Sequence, residues 1–471
     1  MNLFISIKNV KKIFIYTIIV ISFSVCTFNV DDEKSLDLID ITTTTNTNLD
    51  STTTTQVQVE FELPYKHYFE ELNNCEDFLG SRHQIECIGE ARTELVFEFN
   101  SPVVNIVKSR NEVYSVLQNG VINKLDINSK KFSTILDKTG QVYLDSLESG
   151  LLSFYLHPTN DEFLTSYINY KNELIFELFY FDQNIENITK SKILLTVPSF
   201  SNSHYAGGIA WSDYFDSYLV SIGDMVEANF ESRLNHMPLD DSLYYGKIVA
   251  LSGNETTITS KTQFLTSENN IPLENIVASG LRNPWQFFEY QEYLIVADTG
   301  FTQNEELNIF KYGNEVPNFG WPIFEATKRS EDLDNIENYS LVKNLFIEVD
   351  GNTINGKEFV EGYSQRPAFY YNHHPCFSEQ YENCDGKAQT YRAAIIGGDI
   401  LVNSNSKYNF DIFVGDYLSQ ELFSINLITR DLKIINISGI SNITSVKTNF
   451  GINDEILVST YEGKIYKIYL P

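Results

Sequence analysis

Seven histidines are spread over 471 residues, and one of them, His204, stands in the stretch SHYAGGIAW with two residues between it and a Gly-Gly pair. Imidazole is the side chain whose unperturbed pKa lets it accept a proton near neutral pH, so His204 is a candidate general base. Gly207 and Gly208 have no Cβ and let a backbone pass close to a planar ligand. Taken alone, a histidine beside Gly-Gly is more often a structural residue at the start of a strand. A second group sits in SGLRNPWQF, where Arg282 and Asn283 precede Pro284, whose ring fixes the local turn. A guanidinium there stabilises negative charge growing on an oxygen, and an amide hydrogen-bonds the rim of a ligand. The competing reading is an arginine–carboxylate pair that ties two structural units together. Both stay open on these residues alone.

These side chains are far apart in sequence, so a fold has to bring them together. Beyond Phe61, short β-type runs recur with turn residues between them, and long helical periodicity is absent. A hydrophobic strand, a tight turn and a second strand return as VYSVLQNGVINKLDI from Val113, IFVGDYLSQELFSINL from Ile412 and ILVSTYEGKIYKIYL from Ile456. YLVSIGD ending at Asp224 and YLIVADTG ending at Gly300 lie between them. Such repetition over roughly 380 residues fits the ~40–60 residues of a propeller blade better than a sandwich. The expected fold is all-β, a six-bladed β-propeller of four-stranded antiparallel blades over residues 95–471.

Composition narrows the partners. A formal net charge of -29 would repel a phosphate backbone, which argues against nucleic acid. Residues 1–26 place Lys8, Lys11 and Lys12 before an apolar run from Ile13 to Val25, the layout of a secretory signal, with an uncleaved membrane anchor as the alternative. Cys26 follows as a lipid-modified cysteine would, although Val25 is bulky for such a signal. Residues 27–60, rich in Thr and Asp, read as a flexible spacer, and residues 61–94 as a lead-in segment. A secreted or extracytoplasmic protein permits disulfides, and proximity favours Cys75 with Cys87 and Cys376 with Cys384. Asn187, Asn254, Asn338, Asn436 and Asn442 head glycosylation sequons, relevant only in a eukaryotic secretory route.

Several stretches then fall into one order: ESGLLSFYLHP from Glu148, HYAGGIAW from His204, YLVSIGD, GKIVAL from Gly246, SGLRNPWQF, the Asp298–Gly300 turn with EELN from Glu305, NFGWP from Asn318, and IIGGDI with FVGDY. In this order the chain resembles the glucose/sorbosone dehydrogenases. That family comprises soluble six-bladed quinoproteins that use pyrroloquinoline quinone and calcium, together with Hedgehog-interacting-protein-like relatives. The resemblance implies oxidation of an aldose or related sugar alcohol, with electrons passed to an external acceptor. It places the catalytic histidine at His204 and cofactor contacts at Arg282 and Asn283, with Glu148 lining the cavity. Gly300 and Phe301 would offer carbonyls to a calcium that also binds the quinone, because hard cations choose oxygen. Glu305, Glu306 and the carbonyl of Phe319 match the region of a second calcium, although Glu305 stands where Asp is usual. His157, in LHP, reads as a hydrogen-bonding residue within its blade. His373 and His374, near Cys376, read as cavity rim or surface, since no second cluster at zinc spacing accompanies them.

The resemblance also has gaps. The quinone carries three carboxylates that the family meets with Lys or Arg, yet Glu421, Asp399 and Ile209 occupy positions where cations are expected. Arg392, just upstream of IIGG, is the residue that would compensate. Two function classes follow: a secreted quinoprotein-type oxidoreductase with His204 as base, and a non-catalytic propeller that binds a glycan or a protein.

Overall fold

The computed structural model describes residues 85–471 except 183–186, 227–236, 254–257, 260–272, 302–303, 314, 323, 327, 330–345, 350–351, 356–364, 366, 374–391, 430 and 449–453. The signal, the spacer, His374, Cys75, Cys376 and Cys384 lie outside the described residues, and so does the test of both cysteine pairings. Every described residue belongs to the unit spanning residues 61–471.

That unit is a six-bladed β-propeller. Blade 1 is Val103–Ser109, Glu112–Leu117, Val121–Asp126 and Lys131–Asp137; blade 2 is Leu151–Leu156, Glu162–Ile168, Glu173–Phe181 and Ile188–Pro198. Blade 3 is Ala206–Ser212, Ser217–Ile222, Lys247–Leu251 and Ile276–Ala278; blade 4 is Gln286–Tyr290, Tyr293–Asp298, Asn304–Lys311 and Phe369–Asn372. Blade 5 is Ile395–Leu401, Asp411–Asp416, Glu421–Asn426 and Leu432–Asn436; blade 6 is Ile443–Thr448, Glu455–Thr460 and Lys464–Tyr469. The fourth strand of blade 6 comes from the other end of the chain: Arg92–Glu98 pairs antiparallel with Lys464–Tyr469 and closes the ring. Ile85–Glu90 adds a parallel fifth strand to blade 5 at Leu432–Asn436.

The inner strands of each blade pack against neighbours on both faces, so both of their faces are buried. The second strands Ser217–Ile222, Tyr293–Asp298, Asp411–Asp416 and Glu455–Thr460 are buried at every residue. Tight turns keep the hairpins in register. Arg110 and Asn111 both have positive φ between Ser109 and Glu112, the two-residue turn whose twist matches antiparallel strands. The first strand of each blade faces the axis, and in five blades its register shifts against the second strand, at Val103/Asn105, Leu151/Ser153, Ala206/Ile209, Ile396/Asp399 and Ile443/Ser445. Such bulges bend a strand and re-aim its side chains, here around the axis.

Polar side chains close the middle of the axis. Gln286 of blade 4 donates through Nε2 to Asn105 Oδ1 of blade 1 at 3.2 Å and to the Thr444 carbonyl of blade 6 at 2.9 Å. Asn105 donates in turn to Ser153 Oγ of blade 2 at 3.1 Å and accepts from Ser445 Oγ at 3.1 Å. Because the first strands run in one direction, the residues that precede them gather on one face above this plug. The glycines of HYAGGIAW serve the same packing. A Cβ on Gly207 would meet Leu152 Cδ1 at 2.7 Å, and one on Gly208 would meet Ser221 Oγ at 3.0 Å, so they make room for the protein's own neighbours, where the sequence suggested a planar ligand.

Ring closure by Arg92–Glu98 depends on its inward residues. Phe97 is 5% exposed among Ile106, Val113, Leu457 and Ile465. Phe97→Ala should lower unfolding stability by about 3–5 kcal/mol, measured by denaturant titration. A loss below about 1 kcal/mol would show that the seam is not what holds the ring.

Candidate functional site

On that face the loop before the first strand of blade 3 carries His204 in a left-handed conformation, φ 56°. A non-glycine residue in that region is uncommon and costs energy, so its surroundings must hold it. The Glu148 carboxylate, in the loop entering blade 2, accepts the His204 amide at 2.6 Å. Asp224 approaches from the end of the second strand of blade 3. It gets there because Gly223 has no side chain: a Cβ at that position would lie 1.8 Å from the His204 carbonyl oxygen.

His204 Nδ1 lies 2.8 Å from Asp224 Oδ1, and His204 Nε2 lies 2.8 Å from Arg282 Nη2. A guanidinium has donors and no acceptor, so Nε2 must present its lone pair. The ring proton therefore sits on Nδ1 and is donated to Asp224. Nε2 is the nitrogen left to take a proton. The carboxylate is sealed and the imidazole is not, their side chains being 3% and 12% exposed.

Arg282 is held at its backbone and at both terminal nitrogens, while its Nε is buried without a partner among the described residues. Its amide donates to the Asp298 carboxylate at 3.0 Å, the Asn283 amide donates to the same group at 2.7 Å, and its carbonyl accepts the Asp224 amide at 2.7 Å. Burial pushes the Asp298 carboxyl up, against the pull of those two amides. The guanidinium donates through Nη1 to the carbonyls of Thr299 at 3.0 Å and Gly300 at 2.6 Å, and stands 5.5 Å from the ring centres of Phe301 and of Trp321. Trp321 Nε1 donates to Asp224 Oδ2 at 2.9 Å, which closes a circuit through Asp224, His204 and Arg282. The Asn283 side chain links the two sides of the site, donating to Glu148 Oε2 at 3.3 Å and accepting the Ala206 amide at 3.1 Å.

The structure therefore brings together Glu148, His204, Arg282 and Asn283. Asp224 and Trp321 complete the group without having been singled out from the sequence. Their signals were present, in the Gly-Asp that ends YLVSIGD and in NFGWP.

Gly300 and Phe301 also lie against Arg282, and the other expected residues go elsewhere. Glu305 and Glu306 are consecutive in one strand, so their side chains leave opposite faces. The Glu305 carboxylate accepts the amides of Gly300 at 3.1 Å, Ala394 at 2.8 Å and Ile395 at 2.9 Å, and a ring nitrogen of His373 as well. It joins blade 4 to the entry of blade 5. Four N–H partners leave its oxygens little to offer a cation, so Glu305 does not fit a calcium ligand. Glu306 accepts the Ala326 amide and, at 3.2 Å, Asn308 Nδ2. Phe319 donates its amide to the Ser279 carbonyl at 3.0 Å and packs its ring 5.9 Å from Phe310. The Gly300 carbonyl is engaged by Arg282, and the adjacent Phe301 amide donates to Glu325 at 2.8 Å. Among the described residues no group of three or more His, Cys, Asp or Glu is arranged for a metal.

Arg392 also differs from expectation. It is 2% exposed and makes a bidentate pair with Glu421, at 2.8 Å and 3.0 Å. The cation that was to compensate is thus neutralised by the acid in the family's cationic position. Asp399 is likewise internal, at 2.6 Å from Lys108 on the far half of the axis. The described residues do not fit a tricarboxylate quinone with its calcium. His157 does bond within its blade, accepting the amides of Thr159 at 3.1 Å and Asn160 at 2.9 Å, and His373, expected at a rim or the surface, is buried on Glu305.

No family model matches the chain, and no curated protein does. Among solved structures it is similar to one named glucose dehydrogenase, at 15% identity over 80% of this chain and 98% of that one, with a TM-score of 0.53. It is similar to a putative oxidoreductase (glucose dehydrogenase) of Thermus thermophilus, at 14% identity over 80% and 99%, with a TM-score of 0.52. A pyranose dehydrogenase PQQ domain from Coprinopsis cinerea stands at 10% identity, 82% and 100% coverage and a TM-score of 0.48. The chain shares its fold with the two structures named glucose dehydrogenase, the name to which the motif order pointed.

Two outcomes follow. Glu421→Gln strands a buried guanidinium and should cost about 3–5 kcal/mol in denaturant unfolding, whereas Arg392→Met with Glu421→Leu should come close to wild type. Equal losses in both proteins would contradict the pairing. Burial also pushes the Asp416 carboxyl from 3.8 up to about 7, with the Tyr371 hydroxyl donating to it at 2.7 Å. The folded state then keeps a proton that the unfolded chain releases, so this contribution is complete below about pH 4 and is lost as pH rises through about 7. Unfolding free energies at pH 5 and pH 8 should differ less in Asp416→Asn than in wild type; an unchanged difference would overturn the assignment.

Proposed function

We propose that the chain is a dehydrogenase-type oxidoreductase acting on a hydroxyl of an aldose or related sugar alcohol, with His204 Nε2 as the proton acceptor. The observation that carries this reading is the Asp224–His204–Arg282 arrangement. Asp224 fixes the tautomer and balances the charge that appears on the ring when Nε2 takes a proton. Arg282 holds Nε2 in the ligand-free site and, once a hydroxyl replaces it there, is placed to stabilise negative charge on the substrate oxygen. Glu148 accepts the His204 amide and Asn283 binds both Glu148 and the Ala206 amide, so the backbone that carries the histidine is fixed. Removing the proton together with a hydride leaves two electrons for a redox acceptor. With Arg392 neutralised, the described residues favour an acceptor of low negative charge over a trianion. The basic and apolar N-terminus supports action outside the cytoplasm, in secreted form or anchored by that segment.

The Arg392–Glu421 pair favours a second reading, in which the propeller binds a glycan or a protein without turnover. A cation needed for a bound anion would be open to the site, and here it is buried on its own acid.

One experiment separates the two. Purified protein is assayed for dye reduction over a panel of aldoses, alone and after incubation with pyrroloquinoline quinone and calcium. The enzyme reading expects reduction with at least one sugar and a fall of about 10²–10⁴ in kcat for His204→Ala. Asp224→Asn should lower kcat more than it raises KM, because the histidine loses its tautomer. Absence of reduction under every condition, or an unchanged kcat in His204→Ala, overturns that reading.

A further inference from the structure

Beside the histidine site, the same face holds a cleft of about 580 Å³ that the proton-transfer residues do not line. That volume lies within the roughly 300–1,000 Å³ of small-ligand sites. Its walls come from the turns after the second strands of blades 1 and 6 and from the loop into blade 2, and include Gln118, Asn119, Leu144, Ser146, Leu147 and Tyr461. Gln118 sets the floor. It is 6% exposed and donates through Nε2 to the carbonyls of Ser146, Leu147 and Ser149 at 3.1, 3.0 and 3.1 Å, and it accepts the Tyr461 hydroxyl at 2.9 Å. The loop it grips continues directly into Glu148, which holds the His204 amide, so cleft and proton acceptor share one rigid segment.

The chemistry of the walls is specific. Asn119 Oδ1 and Ser146 Oγ are buried side-chain oxygens with no partner among the described residues, and both belong to this cleft. Both residues are part-exposed while these oxygens are turned away from solvent, so a rotation of each short side chain brings its oxygen to a ligand hydroxyl and recovers the free energy that an unpartnered buried oxygen costs. Beside them Leu144 and Leu147 are 54% and 62% exposed and form an apolar ledge. No lining residue is Lys or Arg, and the single acid, Asp145, accepts Asn202 Nδ2 at 2.9 Å, so nothing here selects an anion. Hydroxyl-binding oxygens next to an apolar ledge, without a cation, match a neutral sugar ring, which presents hydroxyls at its edge and C–H groups on its face.

We propose that this cleft is a second sugar subsite, and that the molecule whose end reaches His204 is an oligosaccharide. The proposal rests on the reading of His204 as acting on a sugar hydroxyl, and one set of measurements tells the two apart. Full-length protein is titrated calorimetrically with glucose, maltotriose and cellotriose, and the same sugars are assayed for dye reduction. At least one trisaccharide should bind 10-fold or more tightly than glucose. Asn119→Ala combined with Ser146→Ala should erase that gain and leave glucose affinity unchanged, while His204→Ala should keep trisaccharide binding. Trisaccharides no tighter than glucose, or a gain that survives the double variant, overturn the subsite even where glucose is turned over. A trisaccharide gain that the double variant removes, with no sugar reducing the dye, keeps the subsite and removes the enzyme reading.

Discussion

A guanidinium can give hydrogen bonds and cannot receive them, and the site is organised by that asymmetry at Arg282. Its donors meet two carbonyls of blade 4 and the Nε2 of His204 in blade 3, and its backbone is bound to Asp298 and Asp224. Because Arg282 only donates, Nε2 has to accept; because Nε2 accepts, Nδ1 has to donate, and Asp224 is there to receive it. The identity of one side chain thus fixes the proton inventory of another. The same contacts bridge two blades, so the chemistry and the packing of the ring rest on one set of bonds.

The two halves of the face differ in charge. Around His204 a carboxylate and a guanidinium act on one imidazole from opposite sides. Around Arg392 the opposite charges meet each other directly, in a buried bidentate pair with no side-chain surface to spare. A buried pair of that kind adds little net stability against an apolar replacement, yet losing one partner is costly, so it persists once formed. On the proposed reading the first half transfers a proton, and in the second Arg392 is closed to an anion by Glu421.

Much of this was legible in the sequence. Strand–turn–strand repeats announced the blades because hairpins are local, and the order of motifs singled out Glu148, His204, Arg282 and Asn283, which the structure sets at the entries to blades 2, 3 and 4. Ring closure by Arg92–Glu98 was not readable, since a pairing between the two ends of the chain leaves no local pattern. Asp224 was passed over because its role needs the third dimension: only the missing Cβ of Gly223 lets it reach His204. Glu305 and Glu306 were assigned to a calcium by resemblance, whereas neighbours within one strand send their side chains to opposite faces. Arg392 was credited as a free cation because nothing in the sequence shows that Glu421, 29 residues on, would neutralise it.

The central claim is that His204 stands with a proton on Nδ1 and a lone pair on Nε2. Nitrogen NMR on protein labelled at histidine, with His204 assigned through a His204→Gln variant, reads the protonation of each ring nitrogen directly. A protonated Nδ1 with an unprotonated Nε2 near neutral pH is the predicted result. A proton on Nε2, in either the other tautomer or the imidazolium, would contradict the Arg282 contact and the proton-acceptor role built on it.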